Sequence, residues 1–338
     1  MKRIIGTLLV LVAAAAAAQD ATVTYLEGDV DIRTRAGSTY PADFGDELAS
    51  GDRVITYRAA EAEIDLAAGG VVTVSPDTVF IIGSEAASGG RRTSRLSAAV
   101  GSFAFRFNVA VGNEPRVGST TSVAGVRGTE LRIYAGSDGT TRFEVIEGLV
   151  DVRDGGRTVS LGADQGVEVR PGRGPTNVFA FLEQPIDYSV WNAGLVEDFL
   201  DDPLPALRGV AAEMDDLMDE IERRGPEVDA LHAEYERQRD RLSGILEEEG
   251  EAARDAFVEE TLGPARIAAR VAYLDFRFIV LSALSLDQYV VSRLAAEMQA
   301  EYFLSPDDPV YDTFVAELEA LRDRYAAVVE PRLSPTDI

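Results

Sequence analysis

The residues able to do chemistry are few in kind. His232 is the only histidine, cysteine is absent and Lys2 is the only lysine. An imidazole-based zinc site or a Ser-His-Asp triad would have to use His232. That residue sits mid-helix in Ala230-Leu231-His232-Ala233-Glu234, and no G-x-S-x-G elbow occurs in the chain. Without cysteine there is no disulfide, thiolate metal ligand or thiol nucleophile. Schiff-base chemistry would fall to Lys2 alone. Gly89-Gly90-Arg91-Arg92 lacks the spacing and the lysine of a phosphate-binding loop. Asp138-Gly139 and Asp154-Gly155-Gly156 read as hairpin turns, since no oxygen donors follow at the fixed alternate positions of a calcium loop. Carboxylate pairs for glycoside hydrolysis come from distant positions, and with 58 acidic residues a pair alone means little. The expectation is a protein that binds, with no catalytic residue, no metal site and no cofactor.

The elements around these residues divide the chain in two. From Thr22 to about Val178, apolar and polar residues alternate in short runs such as Val30-Asp31-Ile32-Arg33, Ala62-Glu63-Ile64-Asp65-Leu66 and Val150-Asp151-Val152-Arg153. That period of two marks strands with one buried face. Glycine turns punctuate them about every ten residues, which predicts a β-roll or sandwich of short strands. Tyr25-Leu26-Glu27-Gly28-Asp29-Val30-Asp31-Ile32-Arg33 is echoed by Val145-Ile146-Glu147-Gly148-Leu149-Val150-Asp151-Val152-Arg153.

After Pro185 the spacing changes to i, i+3, i+4, and a helix is expected over about 206–224. Gly225-Pro226 is expected to break it before a second helix reaching Glu249. A third begins near Glu251, with an interruption at Gly263-Pro264, a long apolar helix follows over 265–303, and the last covers about 309–329. The whole is an expected α+β two-domain protein: signal peptide 1–19, all-β domain 20–184, linker 185–205 and antiparallel helical bundle 206–338.

Lys2 and Arg3, the apolar run 4–18 and Ala16-Ala17-Ala18 form the pattern of a secretory signal peptide cleaved after Ala18. A periplasmic or secreted protein with no transmembrane anchor after cleavage is expected. The most apolar later stretch, 271–286, holds Asp275 and Arg277, which argues for a soluble buried helix. Hydrophobic residues make up 46% and charged residues 27%, normal for a folded chain. The net charge of −26 disfavours nucleic-acid binding. Most of the acidic excess falls after residue 190, on faces that are solvated or that dock a basic partner.

Six landmarks in order resemble the FecR-like domain of extracytoplasmic bacterial proteins. They are Leu26-Glu27-Gly28-Asp29-Val30, Leu48-Ala49-Ser50-Gly51-Asp52-Arg53-Val54-Ile55-Thr56, the strand–glycine turn–strand unit 62–78, Val123-Ala124-Gly125-Val126-Arg127-Gly128-Thr129-Glu130-Leu131, Val145-Ile146-Glu147-Gly148-Leu149-Val150 and Leu161-Gly162-Ala163-Asp164-Gln165-Gly166-Val167. The resemblance spans about residues 22–172, and the helical region matches no familiar motif. Gly28, Gly51, Gly125, Gly128 and Gly148 are expected where the backbone needs positive φ or close approach. Asp29 and Asp52 are expected on turn amides. Arg127 is read as a buried network that pins its turn, or as a receiver for a partner's carboxylate. Val126 and Thr129 complete this motif set.

The resemblance implies a non-catalytic role in the cell envelope as sensor, adaptor or scaffold, bound to an unidentified envelope protein. The best-known relatives also control a sigma factor through a cytoplasmic segment, which is not expected of this chain. Self-association through the apolar stretch 276–286 is a further expectation. One alternative is a carbohydrate- or peptidoglycan-binding module using Phe103, Phe105 and Phe107, which share one strand face at i, i+2, i+4; core packing is the competing reading of that stripe. An acid-based hydrolase is the other alternative.

Overall fold

The computed structural model describes residues 20–333 apart from 68, 87–91, 108–114, 120, 155–156 and 182–183. The expected signal peptide therefore lies outside the described residues. The protein combines an all-β N-terminal region with a helical C-terminal region.

Among the described residues the strands join in one 16-stranded sheet, and its long strands change partners halfway. Arg92–Arg106 pairs with Thr78–Ala86 over 92–100, then with Val71–Val74 and Val123–Ala135 over 101–106. Thr141–Asp154 pairs with Gln165–Arg170 over 141–145 and with Arg157–Leu161 over 150–154. Ala21–Glu27 pairs with Glu61–Leu66, and the next strand, Val30–Arg33, pairs with Arg53–Thr56. Each switch is a corner that turns the ladder in a new direction, with a glycine at φ +106° (Gly101), +94° (Gly148) or +74° (Gly28). The two echoed Glu-Gly segments are thus two corners of the same kind.

Folding at the corners closes the sheet over a single apolar core. Leu96 and Ala98 from one arm of a bent strand meet the same cluster as Phe103 and Phe105 from its other arm. Each buried leucine or phenylalanine among them contributes roughly 1.5–3 kcal/mol of transfer free energy.

The helices are α1 (Tyr188–Asp201), α2 (Pro203–Glu249), α3 (Glu251–Phe257), α4 (Gly263–Leu286), α5 (Ser292–Glu301) and α6 (Pro309–Val328). Asp187 caps α1, its carboxylate accepting from the Ser189 and Val190 amides at 3.0 and 3.2 Å. Asp308 caps α6 through the Val310 amide at 2.8 Å, and Pro309 follows at its first turn. These helices bury a second apolar cluster, from Phe199 to Val329, separate from that of the sheet.

Three expectations about the helices change. The segment 185–205, expected as a linker, contains α1, held against the sheet by contacts described below. Gly225-Pro226 does not break the chain, because α2 runs straight through Pro226. Proline inside a helix costs about 3 kcal/mol, but Val210, Met214, Met218 and Ile221 before it and Val228 after it all enter the same core. The Arg332 guanidinium also packs on Gly225, where a Cβ would stand 2.7 Å from Nη2. Finally, 276–286, expected as a self-association face, is turned mostly inward: Phe276, Ile279, Val280, Ala283, Leu284 and Leu286 are buried within the chain, and Phe278 and Leu281 are half-buried.

Two π turns, Val258–Leu262 and Asp287–Val291, join α3, α4 and α5 into one run. The first lets the helix continue past Pro264, with the Gly263 N–H donating to the Val258 carbonyl.

A Cβ on Gly101 would stand 2.2 Å from Thr78 Oγ1 and 2.5 Å from its Cα, whereas one on Gly125 would meet nothing within 4 Å. Gly101→Ala should therefore lose about 3 kcal/mol or more, and Gly125→Ala less than about 1 kcal/mol. Urea unfolding of both variants measures this contrast.

Candidate functional site

The motif residues gather at two places. Gly51, Asp52 and Arg53 form a turn against the helices. Asp52 is buried, its Oδ1 accepting from the Arg35 amide at 2.7 Å and its Oδ2 from the Ala49 amide at 2.8 Å. Gly51 (φ +96°) donates its N–H to the Ile82 carbonyl at 2.7 Å, and a Cβ there would lie 3.7 Å from Leu281 of α4. Arg53 is buried and its Nη1 donates to Gln288 Oε1 at 3.4 Å. Burial holds its pKa below the usual arginine value; Arg33 adds to that, and Tyr289 opposes it.

The second place is the bulged stretch within Val123–Ala135. Val126 is a core residue paired with Val150, and Thr129 is buried with its hydroxyl donating to the Leu149 carbonyl at 3.4 Å. Gly125 has an ordinary φ and open space, so neither positive φ nor close approach explains it. Arg127 lies opposite Leu149 in the ladder; its side chain is outside what the structure describes. Gly28 is a corner away from both places, whereas the Gly148 corner lies across from the bulge, between Glu147, which pairs with Glu130, and Leu149, which pairs with Arg127.

The phenylalanine stripe is not a ligand face. Phe103, Phe105 and Phe107 are 1%, 1% and 4% exposed, with Phe80 5.1 Å from Phe103 and Phe105 4.4 Å from Phe107, centroid to centroid. Their shared side of the strand faces the core, so no sugar ring can reach them. His232 lies exposed on α2, its Nε2 4.0 Å from Glu236. Among the described residues no group of three or more His, Cys, Asp and Glu side chains could hold a metal ion.

Sequence reading missed the contact between modules. The Tyr188 hydroxyl, at the start of α1, donates to the Ala135 carbonyl at 2.8 Å and accepts from the Gly101 amide at 3.0 Å. Burial raises its pKa. Asn192 Oδ1 accepts from the Ser137 amide at 2.8 Å. Trp191 Nε1 donates to Glu168 at 3.1 Å, and Arg142 reaches the same carboxylate at 3.3 Å. Arg142 also donates twice to Glu144, at 2.8 and 2.7 Å, while Tyr134 donates to Glu144 at 3.4 Å. Glu144 is fully buried. Burial, and next the Glu144 charge, push the Tyr134 pKa up to about 12. The register sets Arg132 opposite Glu144, Tyr134 opposite Arg142, and Arg142 opposite Glu168. A signal existed in Arg132-x-Tyr134, Arg142-x-Glu144 and Glu168-x-Arg170, but alternation alone does not say that a helix covers this face.

On the other side of the interface α4 crosses the sheet. The Arg95 guanidinium lies 3.9 Å from the Phe278 ring centroid, and a Cβ on Gly83 would touch that ring at 3.0 Å. Two cavities flank Phe278. One, of about 480 Å³, mixes charges: Arg95, Arg116 and Arg224 with Glu213, Glu220 and Asp275. The other, of about 400 Å³, lies between the Gly51 turn and α4 and is mostly apolar.

A closed β module packs against a helical module, with cavities at the seam. Residues 52–151 match the family described as FecR protein, so the chain carries a FecR domain there. Two crystal structures of a candidate anti-sigma factor from Parabacteroides distasonis ATCC 8503 resemble part of the chain. One is 18% identical, covers 41% of this chain and 63% of its own length, and has a TM-score of 0.34. The other is 15% identical, covers 44% and 72%, and has the same TM-score. The chain thus spans less than two thirds of the first of these. No curated protein matches it. Among the described residues no helix is long and apolar enough to cross a membrane.

Two outcomes test the interface. Glu144→Gln breaks a buried ion pair and should cost about 3–5 kcal/mol in urea unfolding. Asp287 stands beside the Gln288–Arg53 contact. Burial raises its pKa, Arg322 opposes and Glu330 adds. A carboxyl that holds its proton more tightly when folded loses stability as pH rises through the raised pKa. Asp287→Asn removes that loss, so its melting temperature should exceed the parent's at about pH 7, with the gap closing near pH 3, below the ordinary carboxylate pKa.

Proposed function

We propose that this is an exported envelope protein that acts by binding, without catalysis, as an adaptor or sensor whose helical region reaches a protein partner. One observation carries the reading. Residues 229–268, the distal part of α2, all of α3 and the start of α4, form a helical hairpin in which no residue is buried. Its seam on α2 runs Val228, Leu231, Tyr235, Gln238, Leu242, Ile245, alternating three and four residues apart, the spacing of a coiled coil. Arg241 stacks on Phe257 across it, 5.4 Å from the ring centroid.

Such an arm adds little to the core of its own chain, and its reach suits a contact elsewhere. It holds eleven acidic and five basic residues, a net charge of −6, which favours a basic partner surface. The FecR match supports the envelope setting. The two separate cores support a division at about residue 185, with α1 as the docking element between them.

Crosslinking in intact cells through carboxylates tests this, since Lys2 is the only lysine. The full chain should yield one defined envelope protein attached through 229–268. A chain in which a short glycine turn replaces those residues should keep its cooperative melt and lose that product. Unchanged recovery from the shortened chain would overturn the proposal.

A further inference from the structure

We infer that the cavity of about 400 Å³ between the Gly51 turn and α4 is a binding site for an amphiphile with an apolar tail and an anionic head. Its volume falls in the range of about 300–1,000 Å³ typical of small-molecule sites. Ile82, Leu274, Phe278 and Leu281 supply apolar walls. The charged groups are Arg35, Arg270 and Arg277, and among the described residues no Asp or Glu lines it. In a chain with 58 acidic and 32 basic residues, an all-cationic rim on an apolar cavity departs from the general surface. The neighbouring cavity beyond Phe278 shows the contrast, for there carboxylates face the arginines.

Two further features fit an anionic head and an apolar tail. Arg277 is half-buried with Nη1 donating to the Arg332 carbonyl at 3.4 Å. Burial, and then the charge of Arg53, lower its pKa, although Tyr273 opposes them. Along α4 the wall residues Leu274, Phe278 and Leu281 continue towards the N-terminus as Val271 and Ile267, which are exposed. This stripe gives a tail a path into the cavity. The serine hydroxyls of the lining bond back into the helix, Ser282 to the Phe278 carbonyl at 2.9 Å and Ser285 to the Leu281 carbonyl at 2.8 Å, so they leave the wall effectively apolar.

An occupant here would touch both the FecR turn and α4, and so would link the two modules. The inference concerns this cavity alone and does not depend on the arm or its partner. The test uses the purified full chain and the fluorescent probe 11-(dansylamino)undecanoate. Emission should rise to saturation at one site per chain, dodecyl sulfate below its micellar concentration should displace the probe, and dodecylammonium should compete about tenfold less well. Ala36 is exposed at the cavity, and Ala36→Trp should block entry. Arg270→Glu, at an exposed helix position, should reverse one charge. Each should weaken probe binding about tenfold with the melting temperature unchanged. Absence of saturable binding, equal competition by dodecylammonium, or unchanged affinity in both variants would overturn the inference. Should Ala36→Trp fail to fold, Arg270→Glu decides alone.

Discussion

A bent strand cannot keep a continuous ladder, and every backbone group freed at the bend needs another partner. Gly101 is where this constraint shapes the protein. Its positive φ turns Arg92–Arg106 from one set of neighbours to another, and the Tyr188 hydroxyl takes up its amide. The same hydroxyl donates to the Ala135 carbonyl, so one side chain of α1 ties together two strands at the corner. The corner closes the β core, and its repair by Tyr188 fixes where the helical module begins.

From that anchor the rest of the interface follows. Trp191 and Asn192, three and four residues on, reach Glu168 and the Ser137 amide from the same helix face. Glycines then let backbone and helix approach: a Cβ on Gly209 would stand 2.3 Å from the Pro171 carbonyl oxygen, and Gly83 makes room for Phe278. The charged groups drawn into the seam are paired where they are deepest. Glu144 takes Arg142, and Arg142 shares Glu168 with Trp191. Arg53 donates to the Gln288 side-chain oxygen and Arg277 to the Arg332 carbonyl.

The two modules spend their apolar residues differently. The β module buries nearly everything its alternation marks as inward, including Phe103, Phe105 and Phe107. The helical module buries its residues up to Val228 and again from Ala269, and the arm between them keeps only a seam. A hairpin that buries so little gains stability mainly from its own helices and ion pairs, such as those of Arg237 with Glu234 and Arg239 with Glu236. Its role is therefore read from reach and charge.

Periodicity in the sequence determined the all-β and helical halves and the last helix, because those signals are local, and the FecR landmarks were legible by their resemblance to the family's motifs. Composition determined the negative balance and the scarcity of catalytic side chains. Asp52 was legible as a turn-binding carboxylate because one oxygen accepts from Ala49 within its own turn, whereas its bond to the distant Arg35 amide was not legible. Pro226 was misread because local propensity disfavours a helix there by an amount that packing on both sides exceeds. The phenylalanine stripe was ambiguous because alternation says that three rings share a face without saying which face is inside. Only the tertiary structure decided that α1 docks on the Gly101 corner, that Arg35, Arg270 and Arg277 share a cavity, and that 229–268 stands clear of the core. Each of these depends on residues far apart in sequence meeting across an interface, and neither spacing nor composition encodes such a meeting.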